Sequence, residues 1–399
     1  MRKKLKILFV VNRGAAELDW ILPILYILSK RNLIYVIFNS EKVFSSVRKN
    51  LNLYSLLRKI TNRFYTKKRN SYFVIKFIRK FLEPFKHILF ISNIIEKINF
   101  RINNLEKFYI DNKKIKFDIT LLEYGVNSGI SKFIKFNTNS KIVYFPGTTY
   151  PLNLKKNLYL KKIRFIGDHI LVNFNYKNFV LPKIFKKKNI YNLGNPKLEN
   201  WWINKISKKN KKKKYMKSIL FAYNSHFDVV NVTEKKKLEN QLFNIMKVLI
   251  SIKNLHIIFK IHPVKNDPYY LEILNKFPKT RWMISNEHLI SLAKSCDVIL
   301  APLESAAILE GISCNKPTIE LWSPTTLVKE SKNKFRFQNN IKTQNLEHFV
   351  FYINKALFSK QDKIWKKQKK NFEKFYNLSH NSSIKILKTF EKIEKYKNV

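Results

Sequence analysis

Short apolar runs alternate with stretches of helical periodicity along most of the chain. Residues 6–11 form a continuous apolar run, residues 19–28 carry apolar side chains at helical spacing, and residues 34–38 form a second run. That pattern predicts a βαβ opening. From residue 41 to 112 the pattern turns helical and basic, with Phe73, Val74, Phe77, Ile78, Phe81 and Leu82 at helical intervals among Lys and Arg. Further strands are expected at 117–122, 141–145, 169–172 and 190–194, each ending near Gly or polar residues.

A Lys-dense run at 208–217 follows Trp201-Trp202 and marks the expected domain boundary. Beyond it come strands at 218–223, 256–261, 281–284, 297–300 and 318–321, with a helix at 233–251 and helices from 345 onward. Strands alternating with helices predict mostly parallel sheets covered on both faces. The expected layout is therefore a domain 1–207 with a basic helical insertion 41–112, and a domain 218–399 with closing helices. Each is of the Rossmann-like, doubly wound α/β class.

Composition narrows the picture. The 45% apolar fraction, with 32 Phe and 19 Tyr, belongs to a folded chain. Cys296 and Cys314, the two cysteines, give no disulfide framework and no metal-ligand spacing, and no P-loop or Gly-x-Gly-x-x-Gly occurs. No cofactor or metal is expected. The start resembles a signal peptide, but its apolar part stops at Asn12-Arg13-Gly14 and reads as a buried strand. No uncharged apolar stretch approaches the roughly 20 residues of a spanning helix. A cytoplasmic protein is expected, peripheral at the inner membrane face.

The formal charge is +51, from 78 Lys+Arg against 27 Asp+Glu. Abundant Lys, Asn, Ile, Phe and Tyr with only 7 Gly fit mutational drift toward AT-rich codons. Whatever its origin, such a charge attracts anionic surfaces. The basic region 41–112, with Phe and Ile interleaved, suits an anionic membrane surface or a charged lipid-linked acceptor; solvated core-packing helices fit the same pattern. Nucleic acid binding is the reading from another class, and no helix-turn-helix or RNA-binding signature supports it.

The chemistry-bearing positions lie mostly in the second half. Lys260-Ile261-His262-Pro263 puts a His at the exit of an apolar strand, and Asp297-Val298-Ile299 leads to Ser305-Ala306 and Glu310 where a strand hands over to a helix. A loop His and a helix N-terminus suit nucleotide phosphates. Ser305 reads equally as an ordinary N-cap of a helix at 306–312. Glu310, about 140° round an ideal helix from Ser305, is a candidate for ribose hydroxyls or a solvated helix residue. Asn224-Ser225-His226 follows another strand, and His226 is a second candidate phosphate contact.

These motifs resemble those of GT-B fold transferases of surface polysaccharide synthesis. Lys260-Ile261-His262-Pro263 resembles the Lys-x-His-Pro of CDP-glycerol glycerophosphotransferases and the His-Pro of bacterial sialyl- and polysialyltransferases. The segment from Asp297 through Ser305-Ala306 to Glu310 and Lys316-Pro317 resembles theirs, and is similar to a region of UDP-N-acetylglucosamine 2-epimerases whose first Glu falls at Glu310. Phe375-Tyr376-Asn377 to Ser382-Ser383 resembles the C-terminal segment of the glycerophosphotransferases. Three departures stand out: Pro146 replaces the family His before Gly147, Glu304 replaces a hydroxyl residue, and Ala306-Ala307 replaces Gly-Gly.

The resemblance implies a transferase that moves a sugar or glycerophosphate unit from a nucleotide-activated donor to a surface-glycan or lipid-linked acceptor, in a cleft between two domains. Lys260, Pro263, Asn224, Ser225, His226, Ser305, Ala306 and Glu310 would hold the donor. His262 would stabilise charge on the leaving phosphate. Glu123, in Glu123-Tyr124-Gly125, would take the acceptor proton, with Glu17 and Asp19 as alternatives. Asn12, Arg13, Gly14, Gly147 and Thr148 would line the acceptor side. A UDP-sugar 2-epimerase is the alternative of the same fold.

Overall fold

Parallel strands covered on both faces must be apolar on both, so they read as unbroken runs of Val, Ile, Leu and Phe and not as alternations. Strand β1 (Lys6–Val11) is such a run, buried from its second residue onward. The computed structural model describes residues 3–12, 14–38, 40–66, 81–85, 90–91, 94, 109–110, 113–114, 116–123, 140–146, 167, 169–173, 189–207, 217–223, 232–261, 269–302, 305–323, 341–359, 363–376 and 381–396. Residues 1–48, 53–196 and 381–399 form one compact unit, and residues 49–52 and 197–380 a second.

In the first unit, β1 is followed by helix α1 (Ala15–Ser29), strand β2 (Leu33–Phe38), helices α2 (Glu41–Lys49) and α3 (Leu51–Ile60) and strand β3 (Arg63–Thr66). After a short antiparallel pair, β4 (Tyr109–Ile110) with β5 (Lys113–Lys114), come β6 (Ile119–Glu123), β7 (Lys141–Phe145), β8 (His169–Val172) and β9 (Asn189–Asn192). The described strands order as β3-β2-β1-β6-β7-β8-β9, all parallel. Burial follows position: β6 is buried throughout and β9, at the edge, is half-buried throughout.

The region 41–112 is not helical throughout, because Arg63–Thr66 adds an edge strand to the sheet, pairing with β2. The described helices α2 and α3 bury Val47, Leu53 and Leu57. They pack into the core, as amphipathic helices do. Most of the remainder of 41–112 lies outside the described residues.

The second unit opens with α4 (Asn200–Ile206), then β10 (Lys217–Tyr223), α5 (Val232–Ser251), β11 (Leu255–Ile261), α6 (Tyr269–Leu274), β12 (Trp282–Ile284), α7 (Leu289–Ser295), β13 (Val298–Ala301), α8 (Ala307–Ser313), β14 (Thr318–Glu320), β15 (Ile341–Lys342), α9 (Leu346–Phe358) and α10 (Lys363–Tyr376). Its strands order as β12-β11-β10-β13-β14-β15, again parallel. In sequence terms this is 3-2-1-4-5-6, the Rossmann order, whose direction reverses between β10 and β13. One core joins Ile219, Phe221, Phe259, Leu300 and Ile319 to the inner faces of α5 and α9.

Two expected boundaries are corrected. The units part between Pro196 and Lys197, not at the Lys run 208–217. Trp202, Ile203 and Ile206 of α4 are buried, Ser291 Oγ donates to the Ile206 carbonyl at 3.1 Å, and Lys294 Nζ to Asn204 Oδ1 at 2.9 Å. A charge run marks solvent exposure, which is not the same as a change of core. The domain 218–399 also loses its end: α11 (Ser382–Lys395) belongs to the first unit and packs on α1. Helix α1 is apolar on almost every side, with Leu18, Ile21, Leu22, Leu25 and Leu28 all at 0% exposure. A helix of that kind needs more cover than one sheet gives, and Ile386, Phe390 and Ile393 of α11 supply it. Lys141 Nζ holds the far end of α11, donating to the carbonyls of Ile393 (2.8 Å), Glu394 (2.7 Å) and Tyr396. A cation there satisfies carbonyls that the helix leaves unpaired. Desolvation lowers the Lys141 pKa, and Glu394 opposes the shift.

Candidate functional site

In an open α/β sheet, ligands bind outside the carboxyl ends of the strands where the strand order reverses. In the second unit those ends belong to β10 and β13, with β11 beside them. Register fixes their levels: Tyr223 lies opposite Ile261, and Phe221 opposite Leu300. The three loops singled out from sequence therefore leave one edge of one sheet side by side, after Tyr223, after Ile261 and after Ala301. Asn224, Ser225, His226, His262 and Pro263 follow the first two of these strands in the sequence and lie outside the described residues. Lys260 is described, half-buried on β11 opposite Ala222.

The third loop is described from Ser305. Its N–H donates to the Pro302 carbonyl at 3.1 Å, and its Oγ accepts from the Ala307 N–H at 3.3 Å. Helix α8 starts at Ala307, one residue later than expected, with Ala306 in helical geometry before it. The Ser305 hydroxyl thus does close the helix start, from one position further out. An acceptor hydroxyl keeps its own proton for donation. With seven residues, α8 has a small dipole, so position at the switch point matters here more than helix charge.

Gly311 sets how closely α8 approaches the sheet. A Cβ there would lie 2.5 Å from Thr318 Oγ1 and 2.9 Å from Ile299 Cγ1, so no larger residue fits without displacing the strands. The Gly-Gly that epimerases carry earlier in this segment is absent. The close approach is made instead by one Gly in the middle of the helix.

Glu310 is not a solvated helix residue. It is buried, and Lys197 Nζ, also buried, donates to its Oε1. Two charges taken out of water persist only when matched to each other. Nothing in the sequence singles out Lys197 as a site residue. It follows Gly194-Asn195-Pro196, which reads as a turn, and a Lys after a turn is normally solvated. Gly194 does adopt φ 68° there.

In the first unit the strand order reverses between β1 and β6. Phe9 pairs with Leu121, so Val11 and Glu123 end together. Glu123 is buried at the end of β6. Glu17 is buried too, and its Oε2 accepts from the Asn12 N–H at 2.7 Å, closing the turn from β1 into α1. Gly14 caps α1 at φ 88°, ψ −141°, a conformation that favours glycine. Arg13, Tyr124, Gly125, Gly147 and Thr148 lie outside the described residues; Pro146 follows β7 directly.

Two other chemistries find no support. Burial pushes the Cys296 thiol up to about 11 and the Cys314 thiol up to about 12, so both stay neutral and unreactive. Among the described residues no group of three His, Cys, Asp or Glu could hold a metal ion. Among them, too, no helix is long and apolar enough to cross a membrane.

No known protein family matches the sequence, and no curated protein does. Solved structures do match its fold. A UDP-N-acetylglucosamine 2-epimerase is 14% identical with a TM-score of 0.61, over 100% of this chain and 98% of the other. A UDP-glucosyltransferase from Polygonum tinctorium is 11% identical with a TM-score of 0.56, over 99% of each chain. HepE of Anabaena in complex with UDP-glucose is 11% identical with a TM-score of 0.51, over 97% of this chain and 100% of the other. At these identities the likeness is one of fold, and two parallel Rossmann-like α/β units give the chain the GT-B architecture.

Proposed function

We propose that the protein transfers a sugar from a uridine diphosphate donor to a hydroxyl of a glycan or lipid-linked acceptor. The observation that carries this reading is the 3-2-1-4-5-6 order of the second sheet. That order puts the carboxyl ends of β10, β11 and β13, after which Asn224, His262 and Ser305 follow in the sequence, side by side at the strand-order reversal, and this position supports a nucleotide site. The three structural likenesses name UDP-N-acetylglucosamine, UDP-glucose and a UDP-glucosyltransferase. They favour uridine over the cytidine, and sugar over the glycerophosphate, that the Lys-x-His-Pro resemblance suggests.

In this reading the charge that grows on the departing diphosphate meets the His262 N–H, the Lys260 ammonium and the Ser305 hydroxyl. Donors already in place when that charge develops lower the barrier without reorganising. Lys197 holds one oxygen of Glu310, which turns the other toward the ribose hydroxyls. Glu123 takes the acceptor proton, and Asn12 and Gly14 shape the acceptor side. Glu17 is less suited to be the base, because its carboxylate already closes the β1–α1 turn.

A UDP-sugar 2-epimerase is the second reading, favoured by the full-length likeness to such an enzyme. Incubation with UDP-N-acetylglucosamine and UDP-glucose, followed by NMR, separates the two. Transfer predicts UDP release that depends on an added acceptor. Appearance of the C2 epimer without any acceptor would replace the transferase reading.

A further inference from the structure

One side of the second unit's sheet is covered by α5, which packs against α6 and α9. The inner faces of α5 and α9 share a core through Leu242, Ile245, Met246, Leu249, Phe349 and Ile353. The outer face of α9 is not the polar surface such a layer ordinarily presents. Phe351 is 51% exposed and Phe358 61%. They stand about two turns apart on one stripe, with Lys355 between them.

An ammonium lies over each ring. Lys355 Nζ is 4.7 Å from the Phe351 centroid and Lys217 Nζ 3.5 Å from that of Phe358. Lys247 of α5 and Lys276, just after α6, lie 4.9 and 5.8 Å from the ring centroid of the half-buried Phe243 of α5. The cations gather where α5 and α9 end, at the amino edge of the sheet where β10 begins with Lys217. Lys253 is exposed in the turn after α5. The acids of these two helices lie toward their other ends: Glu234 and Glu239 in α5, and Glu347 in α9. Asp297, at this edge, turns its carboxylate to the Ser218 N–H at 2.9 Å.

We infer that this face docks the protein on an anionic lipid bilayer. Exposed phenyl rings gain by entering the boundary between headgroups and acyl chains, and lysine stems lie along apolar surface while their ammonium groups stay at the level of the phosphates. Each lysine near an anionic surface adds further attraction. Single-stranded nucleic acid fits less well, because base stacking needs an open ring face and an ammonium covers a face of each exposed ring. The docking edge is opposite the carboxyl ends of β10, β11 and β13. Attachment there leaves that end of the sheet open, and it does not depend on the proposed reaction.

The test is co-sedimentation of the full chain with vesicles of phosphatidylcholine alone, and with about one third phosphatidylglycerol, at moderate and at raised salt. Binding to the anionic vesicles alone is expected, falling on the order of tenfold in Phe351→Ser/Phe358→Ser. Circular dichroism verifies that this variant is folded. Phe358→Trp, shown by circular dichroism to be folded, should bind more tightly and show a larger blue shift in emission on vesicles than the parent. The control removes Lys363, Lys366, Lys367 and Lys370, the exposed basic stripe of α10, as Gln, and should weaken binding less. The inference is overturned if the double Phe variant binds vesicles like the parent, if the α10 control loses as much, or if the Phe variant loses polyuridylate binding while keeping vesicle binding.

Discussion

Lys197 and Glu310 are 113 positions apart and meet inside one unit. In the sequence Lys197 has the look of a surface charge, and Glu310 reads either as a ribose contact or as a solvated helix residue. Lys197→Met leaves the Glu310 carboxylate buried without its cation, and should cost about 3–5 kcal/mol in denaturant unfolding. Lys197→Met/Glu310→Leu should regain most of that stability. If Glu310 also holds the ribose, the double variant stays weak for UDP although it is stable; recovery of both would leave the pair with a structural role alone. The thiols give a second prediction at this scale. The folded pKa values of Cys296 and Cys314 lie above their ordinary 9.0, so the native state holds those protons more tightly than the unfolded chain. The stability this lends is complete below about pH 9 and is lost as pH rises through about 11 and about 12. At about pH 8 a thiol reagent should leave the native protein unlabelled and label both cysteines after denaturation.

At the scale of elements, the start of β14 is held by a helix. The β14–β15 ladder begins at Ile319 with Ile341, so the outward backbone groups of Thr318 lie beyond it. Gln368 of α10 takes that place. Its Nε2 donates to the Thr318 carbonyl at 2.7 Å and its Oε1 accepts from the Thr318 N–H at 3.3 Å. Gln368→Leu keeps the volume but strands both groups, and should lower unfolding stability by about 1–3 kcal/mol; an unchanged midpoint would contradict the contact. Most elements were legible in the sequence, because buried parallel strands and helices carry their own periodicity, and the starts of β7, β8 and β14 fall where expected. What pairs with what was not legible. Strand β15 is two residues long and has no pattern of its own. The return of α11 to the first unit depends on what α1 still needs covered, which is visible only once α1 is packed. The Lys run at 208–217 misled the boundary because solvation, not a change of core, produces such runs.

At the scale of the whole molecule, two Rossmann-like units explain why the candidate residues are scattered in sequence and gathered at strand ends. Glu123 and Asn12 stand at the reversal of one sheet, and Lys260, Ser305 and Glu310 near the reversal of the other. The fold was inferable from alternating strands and helices, and the three candidate segments stood out in the sequence because each follows an apolar strand. Lys197 did not, since its role exists only through its buried partner. The proposed function requires the carboxyl edge of β10, β11 and β13 to hold a nucleotide. Calorimetric titration with UDP, CDP and CMP at moderate salt, on the parent chain and on His262→Ala and Ser305→Ala, tests it most directly. Saturable binding of UDP in preference to the cytidine nucleotides is expected, weakened on the order of tenfold or more in each variant by loss of a charged or hydroxyl contact. Binding that is equal in parent and variants, or no binding to a folded sample, would contradict it.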